Sequence, residues 1–190
     1  MNGFEIAGVV TGILGVWLTT RQSIWCWPVG LVAVLAYVVV FYEARLYAAM
    51  GLQVVFVVLI IYGWYEWLHG GAGRGALRVS RVSRRALMPL ALLGLASSAL
   101  LGFGLGRLTD EPLPFIDAFA MSFSLIAQWM QARKHLETWL MWVVLDLIYV
   151  GMGLSQGLWL TAGLYVVYVG LAIIGYRDWR GELTPAPEPA

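Results

Sequence analysis

Trp139, Trp142, Asp146 and Tyr149 recur at i, i+3, i+7 and i+10, the spacing of one stripe along an α-helix. They lie in 137-ETWLMWVVLDLIY-149, one of the most apolar stretches of the chain. At 1.5 Å per residue Asp146 sits roughly 10 Å along the axis from Trp139. An ionised carboxylate at that depth in a bilayer costs at least about 2.5–3.5 kcal/mol, so it must face a cavity or a partner and not lipid. Two indoles above a carboxylate make a platform for a flat aromatic ring. A cationic ring would gain up to about 2 kcal/mol over a desolvated indole. The stripe predicts binding chemistry.

Other polar side chains interrupt the apolar runs. Gln53 is isolated in 52-LQVVFVVLIIYGWYEW-67, where it could bond a ribose or amide or staple two helices. Gln128 and Gln131 fall near the end of another apolar run, within reach of a cavity or of the interface. Tyr37 and Tyr149 join Trp139, Trp142, Asp146, Gln53 and Gln128 as candidate substrate-binding residues. Tyr62, Tyr165 and Tyr168 read more readily as belt or packing residues. His69 and His135 have no spacing suited to a metal, and the single cysteine, Cys26, reads as apolar packing. No Ser–His–Asp order, phosphate loop or HExxH motif is present; 70-GGAGRG-75 lacks the Lys-Ser/Thr ending and reads as a flexible connector. No catalytic residue, metal or cofactor is expected.

The elements that must carry these residues follow from composition. Of 190 residues 61% are hydrophobic and 12% charged, and the mean hydropathy is +0.78. A water-soluble domain of this length could not hide so much apolar surface. The chain reads as an all-α integral membrane protein, because a bilayer satisfies backbone polar groups only in helices or closed barrels. Spans of about 20 residues fall near 4–20, 28–46, 48–68, 86–106, 115–132, 138–155 and 158–176. The first is a span and not a signal peptide, lacking a basic n-region and a cleavage pattern. Pro28, the glycines of 70–75 and 109-TDEPLP-114 punctuate the breaks, and the Pro-rich tail 181-GELTPAPEPA-190 reads as disordered. With the N-terminus outside, ten basic residues (Arg21, Arg74, Arg78, Arg81, Arg84, Arg85, Arg133, Lys134, Arg177, Arg180) fall on the cytoplasmic side and two, Arg45 and Arg107, opposite. That asymmetry sets the orientation and gives the arginine cluster a topogenic role, without nucleic acid.

An internal repeat organises the spans. Positions 17–67 lie over 129–179 without a gap, and 17 of the 51 aligned positions are identical. Trp17, Arg21, Trp27, Tyr37, Gly51, Gly63 and Trp67 meet Trp129, Arg133, Trp139, Tyr149, Gly163, Gly175 and Trp179. Three spans form each repeat, and the intervening one restores chain direction, so the two triplets run parallel. This 3+1+3 scheme of seven transmembrane helices is that of semi-symmetric sugar-transporter-like carriers, with a site near the midplane. Within it Trp139 meets Trp27, whereas Trp142 and Asp146 meet Gly30 and Val34. The first position is at least partly architectural. The other two belong to one half alone, as a pocket for an asymmetric ligand requires.

The stretch from Gln128 to Trp179 resembles the PnuC family of bacterial vitamin transporters. Its W-x-x-W-x-x-x-N/D motif matches Trp139, Trp142 and Asp146, its A-R-K-x-L-E-x-W matches Ala132 to Trp139, and 25-WCWPVG-30 is similar to the start of the second span. The resemblance implies a SWEET-like fold, homotrimers in the inner membrane, and facilitated diffusion of nicotinamide riboside with trapping by a cytoplasmic kinase in NAD biosynthesis. It also places the two tryptophans and the acid against the substrate. Relatives carry thiamine or riboflavin, which stand as alternatives, and Thr138, where many relatives have Asn, is a departure. A membrane-embedded enzyme would need a nucleophile or metal set at membrane depth, and a non-transporting subunit would leave the repeat without a polar pocket; neither fits the stripe. The expected organisation is repeat one over 1–68, a basic cytoplasmic loop over 69–85, a linker helix over 86–106, a loop over 107–114, repeat two over 115–179 and a cytoplasmic tail over 180–190.

Overall fold

The computed structural model of the chain describes residues 3–43, 47–109 and 112–183. Seven α-helices occupy them: α1 Gly3–Thr20, α2 Cys26–Glu43, α3 Tyr47–His69, α4 Arg84–Leu108, α5 Pro114–Ala132, α6 Thr138–Ser155 and α7 Trp159–Gly181. Their starts are local chemistry. Pro114 opens α5 where its missing N–H costs nothing, and the Ser83 hydroxyl accepts from Ala86 N at 3.2 Å to cap α4. Arg45, Asp110, Glu111 and tail residues 184–190 lie outside the described residues; Gly181 is still helical.

Five helices are long and apolar enough to cross a membrane: Cys26–Glu43, Met50–His69, Arg84–Leu108, Thr138–Ser155 and Trp159–Gly181. The apolar part of α1, Ile6–Thr20, is shorter. α5 falls outside this group because Asp117, Gln128 and Gln131 dilute it. Large aliphatic side chains such as Leu92, Leu100 and Leu160 stand exposed on the helix exteriors. Such surfaces need an apolar solvent, and the chain is a multi-pass all-α membrane protein.

Packing closes six helices into a ring in the order α1, α2, α3, α5, α6, α7 and back to α1, while α4 lies against α5 outside it. Contacts around the ring recur at the same offset as the sequence repeat. Trp27 meets Trp67 edge-on at 5.2 Å and 88°, and Trp139 meets Trp179 at 5.3 Å and 87°. Gly63 and Gly175 make room for these rings: a Cβ at Gly175 would lie 2.5 Å from the Trp139 indole, and one at Gly63 would run into Trp27. Trp67 Nε1 donates to the Gln131 carbonyl at 3.2 Å, and Trp179 Nε1 to the Thr19 carbonyl at 3.1 Å. Trp67 and Trp179, equivalent positions, themselves meet at 5.9 Å.

The turns after α1 and α5 match as well. Gln22 and Lys134, again equivalent, adopt the left-handed backbone with φ of 52° and 50°, a conformation costly for non-glycine residues. They meet each other: Lys134 Nζ donates to Gln22 Oε1 at 3.0 Å and stands 4.3 Å from the Trp67 ring centroid. Burial pulls the Lys134 ammonium below its ordinary pKa, opposed by Glu182 and Cys26. The 70–75 segment forms a short 3-10 turn over Ala72–Arg74. The chain beyond it is laid along the α5–α6 turn. Ser80 N donates to the Lys134 carbonyl at 3.0 Å, Leu136 N to the Ser80 carbonyl at 2.9 Å, and Val82 N to Glu137 Oε2 at 2.9 Å. This end of the ring is closed.

Candidate functional site

A cavity of about 350 Å³ lies inside the ring, in the range of small-molecule sites. Its floor includes Trp27, Trp139, Thr19 and Cys26 at the closed end, and it runs past Asp146 to Tyr37, Leu52 and Tyr165. All seven expected binding residues, Trp139, Trp142, Asp146, Tyr149, Gln53, Gln128 and Tyr37, line it. Helical spacing on α6 aims four of them inward, and α5 adds Ser124, Gln128 and Gln131 at i, i+4 and i+7.

The wall is built from matching positions of the two repeats with different chemistry. Gly12, Val16, Thr19, Gly30 and Val34 on α1 and α2 correspond to Ser124, Gln128, Gln131, Trp142 and Asp146 on α5 and α6. Phe56 on α3 corresponds to Tyr168 on α7, and only Gln53, opposite Tyr165, reverses the trend. At these matched positions the α5–α7 side is the more polar and the bulkier, while Thr19, Tyr37 and Gln53 supply the polar groups of the α1–α3 side. A ligand with an uneven distribution of polar groups fits such a chamber in one orientation.

Asp146 is 5% exposed and has no hydrogen-bond or ion-pair partner among the described residues. An unpaired carboxylate in a largely apolar, aromatic-lined cavity is unfavourable by itself and becomes favourable opposite a cation or hydrogen-bond donor. The aromatic wall beside it is ordered. Tyr149 and Tyr165 stack at 4.7 Å and 18°, Tyr165 and Tyr168 meet edge-on at 5.9 Å, and Tyr168 rests on Gly12, where a Cβ would come 2.6 Å from its hydroxyl.

The two indoles of the motif divide in role. Trp139 is 1% exposed, wedged between Gly175 and Trp179, and among the described residues its Nε1 has no hydrogen-bond partner, as is also true of Trp27. It belongs to the closed tryptophan layer as its match with Trp27 suggests. Trp142 is half-buried, and its Nε1 donates to Gln131 Oε1 at 3.0 Å. Tyr165 and Tyr168, read from sequence as packing residues, turn out to line the cavity. The repeat held a signal for Tyr165, which matches Gln53. Among the described residues no three His, Cys, Asp or Glu side chains converge as metal ligands.

Known proteins share these features. Residues 2–181 match the family model described as nicotinamide mononucleotide transporter. The chain is 31% identical to the riboflavin/roseoflavin transporter RibM of Streptomyces davaonensis, covering 92% of this chain and 83% of RibM. It is 27% identical to the nicotinamide riboside transporter PnuC of Escherichia coli, over 94% of this chain and 85% of that one. Its fold is similar to the crystal structure of the vitamin B3 transporter PnuC, with a TM-score of 0.74 at 22% identity over 95% of this chain and 81% of that one. A ring of apolar helices around a one-sided polar chamber, matched along nearly its whole length by transporters, makes the chain a membrane transporter belonging to the nicotinamide mononucleotide transporter (PnuC) family.

Proposed function

We propose that the chain carries a flat, cationic vitamin nucleoside, nicotinamide riboside before others, through the central cavity. The observation that carries this reading is the buried Asp146, without a hydrogen-bond or ion-pair partner among the described residues, in an aromatic-lined cavity. In this reading the ring stacks against Trp142, with Trp139 beneath, and Asp146 and Gln53 hold the charge or ribose hydroxyls. Gln128, Tyr37 and Tyr149 complete the contact. Thiamine, also flat and cationic, is the nearest rival on charge alone. Riboflavin is a second reading, favoured by the 31% identity to a riboflavin/roseoflavin transporter; its imide N–H and ribityl hydroxyls would be the groups facing Asp146.

The transport scheme is part of the proposal. Two parallel three-helix repeats, over 1–68 and 115–179, joined by a linker helix over 86–106, rock about their shared axis to expose the cavity to either side. The recurrence of ring contacts at the offset of the sequence repeat supports this 3+1+3 arrangement of seven spans. The charge asymmetry supports an outside N-terminus and a cytoplasmic C-terminus in an inner membrane. Uptake by facilitated diffusion, phosphorylation by a cytoplasmic kinase and assembly as a homotrimer complete the scheme by family likeness.

Titration of the purified chain with nicotinamide riboside, thiamine and riboflavin, followed by uptake into proteoliposomes, tests the reading. Binding of nicotinamide riboside and its loss in the Trp142→Ala/Asp146→Ala double variant are expected. Riboflavin binding with no response to nicotinamide riboside would overturn the substrate, and undiminished uptake by the double variant would overturn the site.

A further inference from the structure

Gln131 lies in the last turn of α5 and makes two bonds with different parts of the molecule. Its carbonyl accepts from Trp67 Nε1 at 3.2 Å, and its side-chain Oε1 accepts from Trp142 Nε1 at 3.0 Å. The internal repeat separates these two roles. At the equivalent position Thr19 the carbonyl does the same work, accepting from Trp179 Nε1 at 3.1 Å. The Thr19 side chain does not: its Oγ1 turns back onto the Gly15 carbonyl of its own helix at 2.9 Å. Trp142 has no counterpart either, since Gly30 stands in its place. Both members of the side-chain pair are therefore missing together from the other half, which folds into the same turn and the same tryptophan contacts without them. The pair is dispensable for the scaffold. It accompanies Asp146, whose equivalent is Val34, among the one-sided features of the cavity wall.

We infer that Gln131 is a positioning residue for the transported substrate: by accepting the Trp142 N–H it fixes the plane of the indole that faces the cavity. An indole is donor only, so its one polar atom sets which way the ring turns. A half-buried Trp142 with its N–H unpaired could rotate to seek another acceptor, and the carboxylate of Asp146, one helical turn away on α6, would compete for it. Bonded to Gln131, the indole keeps its face toward the chamber and leaves Asp146 for the ligand. Preorganisation of this kind lowers the ordering cost of binding. The inference rests on the reading that substrate binds beside Trp142.

Gln131→Leu removes the acceptor and keeps the backbone carbonyl for Trp67, whereas Gln131→Glu keeps an accepting oxygen. The first readout needs no ligand: in protein labelled with 15N-tryptophan, the indole N–H resonance that disappears in Trp142→Phe should move in Gln131→Leu and stay near its native place in Gln131→Glu. The second is the Kd for nicotinamide riboside or riboflavin, whichever binds the native chain. Gln131→Leu should raise it about fivefold, which corresponds to about 1 kcal/mol for one neutral hydrogen bond. In a Trp142→Phe background, where the N–H is already gone, the same substitution should raise it no further. An equal loss in both backgrounds would mean direct contact with the substrate and overturn the inference. So would an unmoved resonance, or a lower Tm with unchanged Kd, which would make the pair a staple between α5 and α6. Failure of both probes to bind the native chain would overturn the proposed substrate and not the transporter assignment, and the resonance would then decide the positioning role alone.

Discussion

Asp146→Asn should weaken the binding of a cationic substrate and, in the same protein, raise thermal stability. The substitution keeps the shape of the side chain and removes its charge. Two unit charges about 4 Å apart attract by about 4 kcal/mol at an effective dielectric constant of about 20. Desolvation of the substrate cation returns about half of that, leaving about 2 kcal/mol, or a Kd about thirtyfold higher. The same carboxylate is 5% exposed and unpaired among the described residues, so without substrate the fold bears its burial uncompensated. The cost at a bilayer centre, about 2.5–3.5 kcal/mol, is an upper bound because the chamber has polar walls. A gain of about 1 kcal/mol would raise Tm by about 2–4 °C. Titration calorimetry with nicotinamide riboside and a thermal melt of the ligand-free protein measure the two effects on one preparation. An Asn variant that binds the cation as tightly as the native chain, or that melts lower, would refute the reasoning and make Asp146 part of the scaffold.

Three further expectations follow from the packing. Gly63→Ala and Gly175→Ala should each destabilise the ligand-free protein by about 1–3 kcal/mol, to a similar degree, because each Cβ enters an equivalent indole, Trp27 or Trp139; thermal melts that separate the two widely would contradict the shared architecture. Burial holds the His135 imidazole below its ordinary 6.5, with Glu137 opposing and Arg133 adding to the shift. The folded chain then binds fewer protons than the unfolded one, so this contribution to stability is present above 6.5 and is lost as pH falls toward the depressed value. Melts from about pH 7.5 to about pH 5.5 should show that loss, and His135→Gln should flatten it. Trp67→Ala should speed alkylation of Cys26, the chain's single thiol at the cavity floor, by about tenfold or more, since a buried indole of the closed layer disappears. An unchanged labelling rate would show that this layer is not the seal.

What could be read in advance, and what could not, divides along the range of the interactions. Helix positions were readable because each needs only a run of apolar residues and a local stop, and every expected span coincides with a helix. The ends shifted where tertiary contacts extend them. α7 runs on to Gly181, past the expected 176, because Trp179 is buried and bonded to Thr19 on the neighbouring α1. The α6 stripe was readable because a carboxylate in an apolar run has few alternatives and helical spacing carries the rest. Tyr168 was not, since a tyrosine is equally at home in a belt, a core or a cavity, and for Tyr165 the one hint was its match with Gln53. The bridge from Ser80 to Leu136 and Lys134 joins segments separated by the whole of α4 and α5, and no local pattern announces it. The low apolarity of α5 had the same cause as its importance: its glutamines face the cavity and not lipid.

The division of the cavity into a plain wall and a polar one bears on how such a carrier changes its cargo. The packed layer of Trp27, Trp67, Trp139 and Trp179 is common to both halves, whereas most of the polar residues lining the cavity sit on α5, α6 and α7, with Gln53 and Tyr37 opposite. Side chains along the cavity wall can thus vary while the tryptophan layer shared by both halves is kept. A library confined to positions 124, 128, 131, 142, 146, 165 and 168 would vary the cavity wall while leaving the tryptophan layer intact. Retuning such a protein toward another vitamin is then a search over a few side chains on one face, and the other half serves as the fixed reference against which each variant is judged.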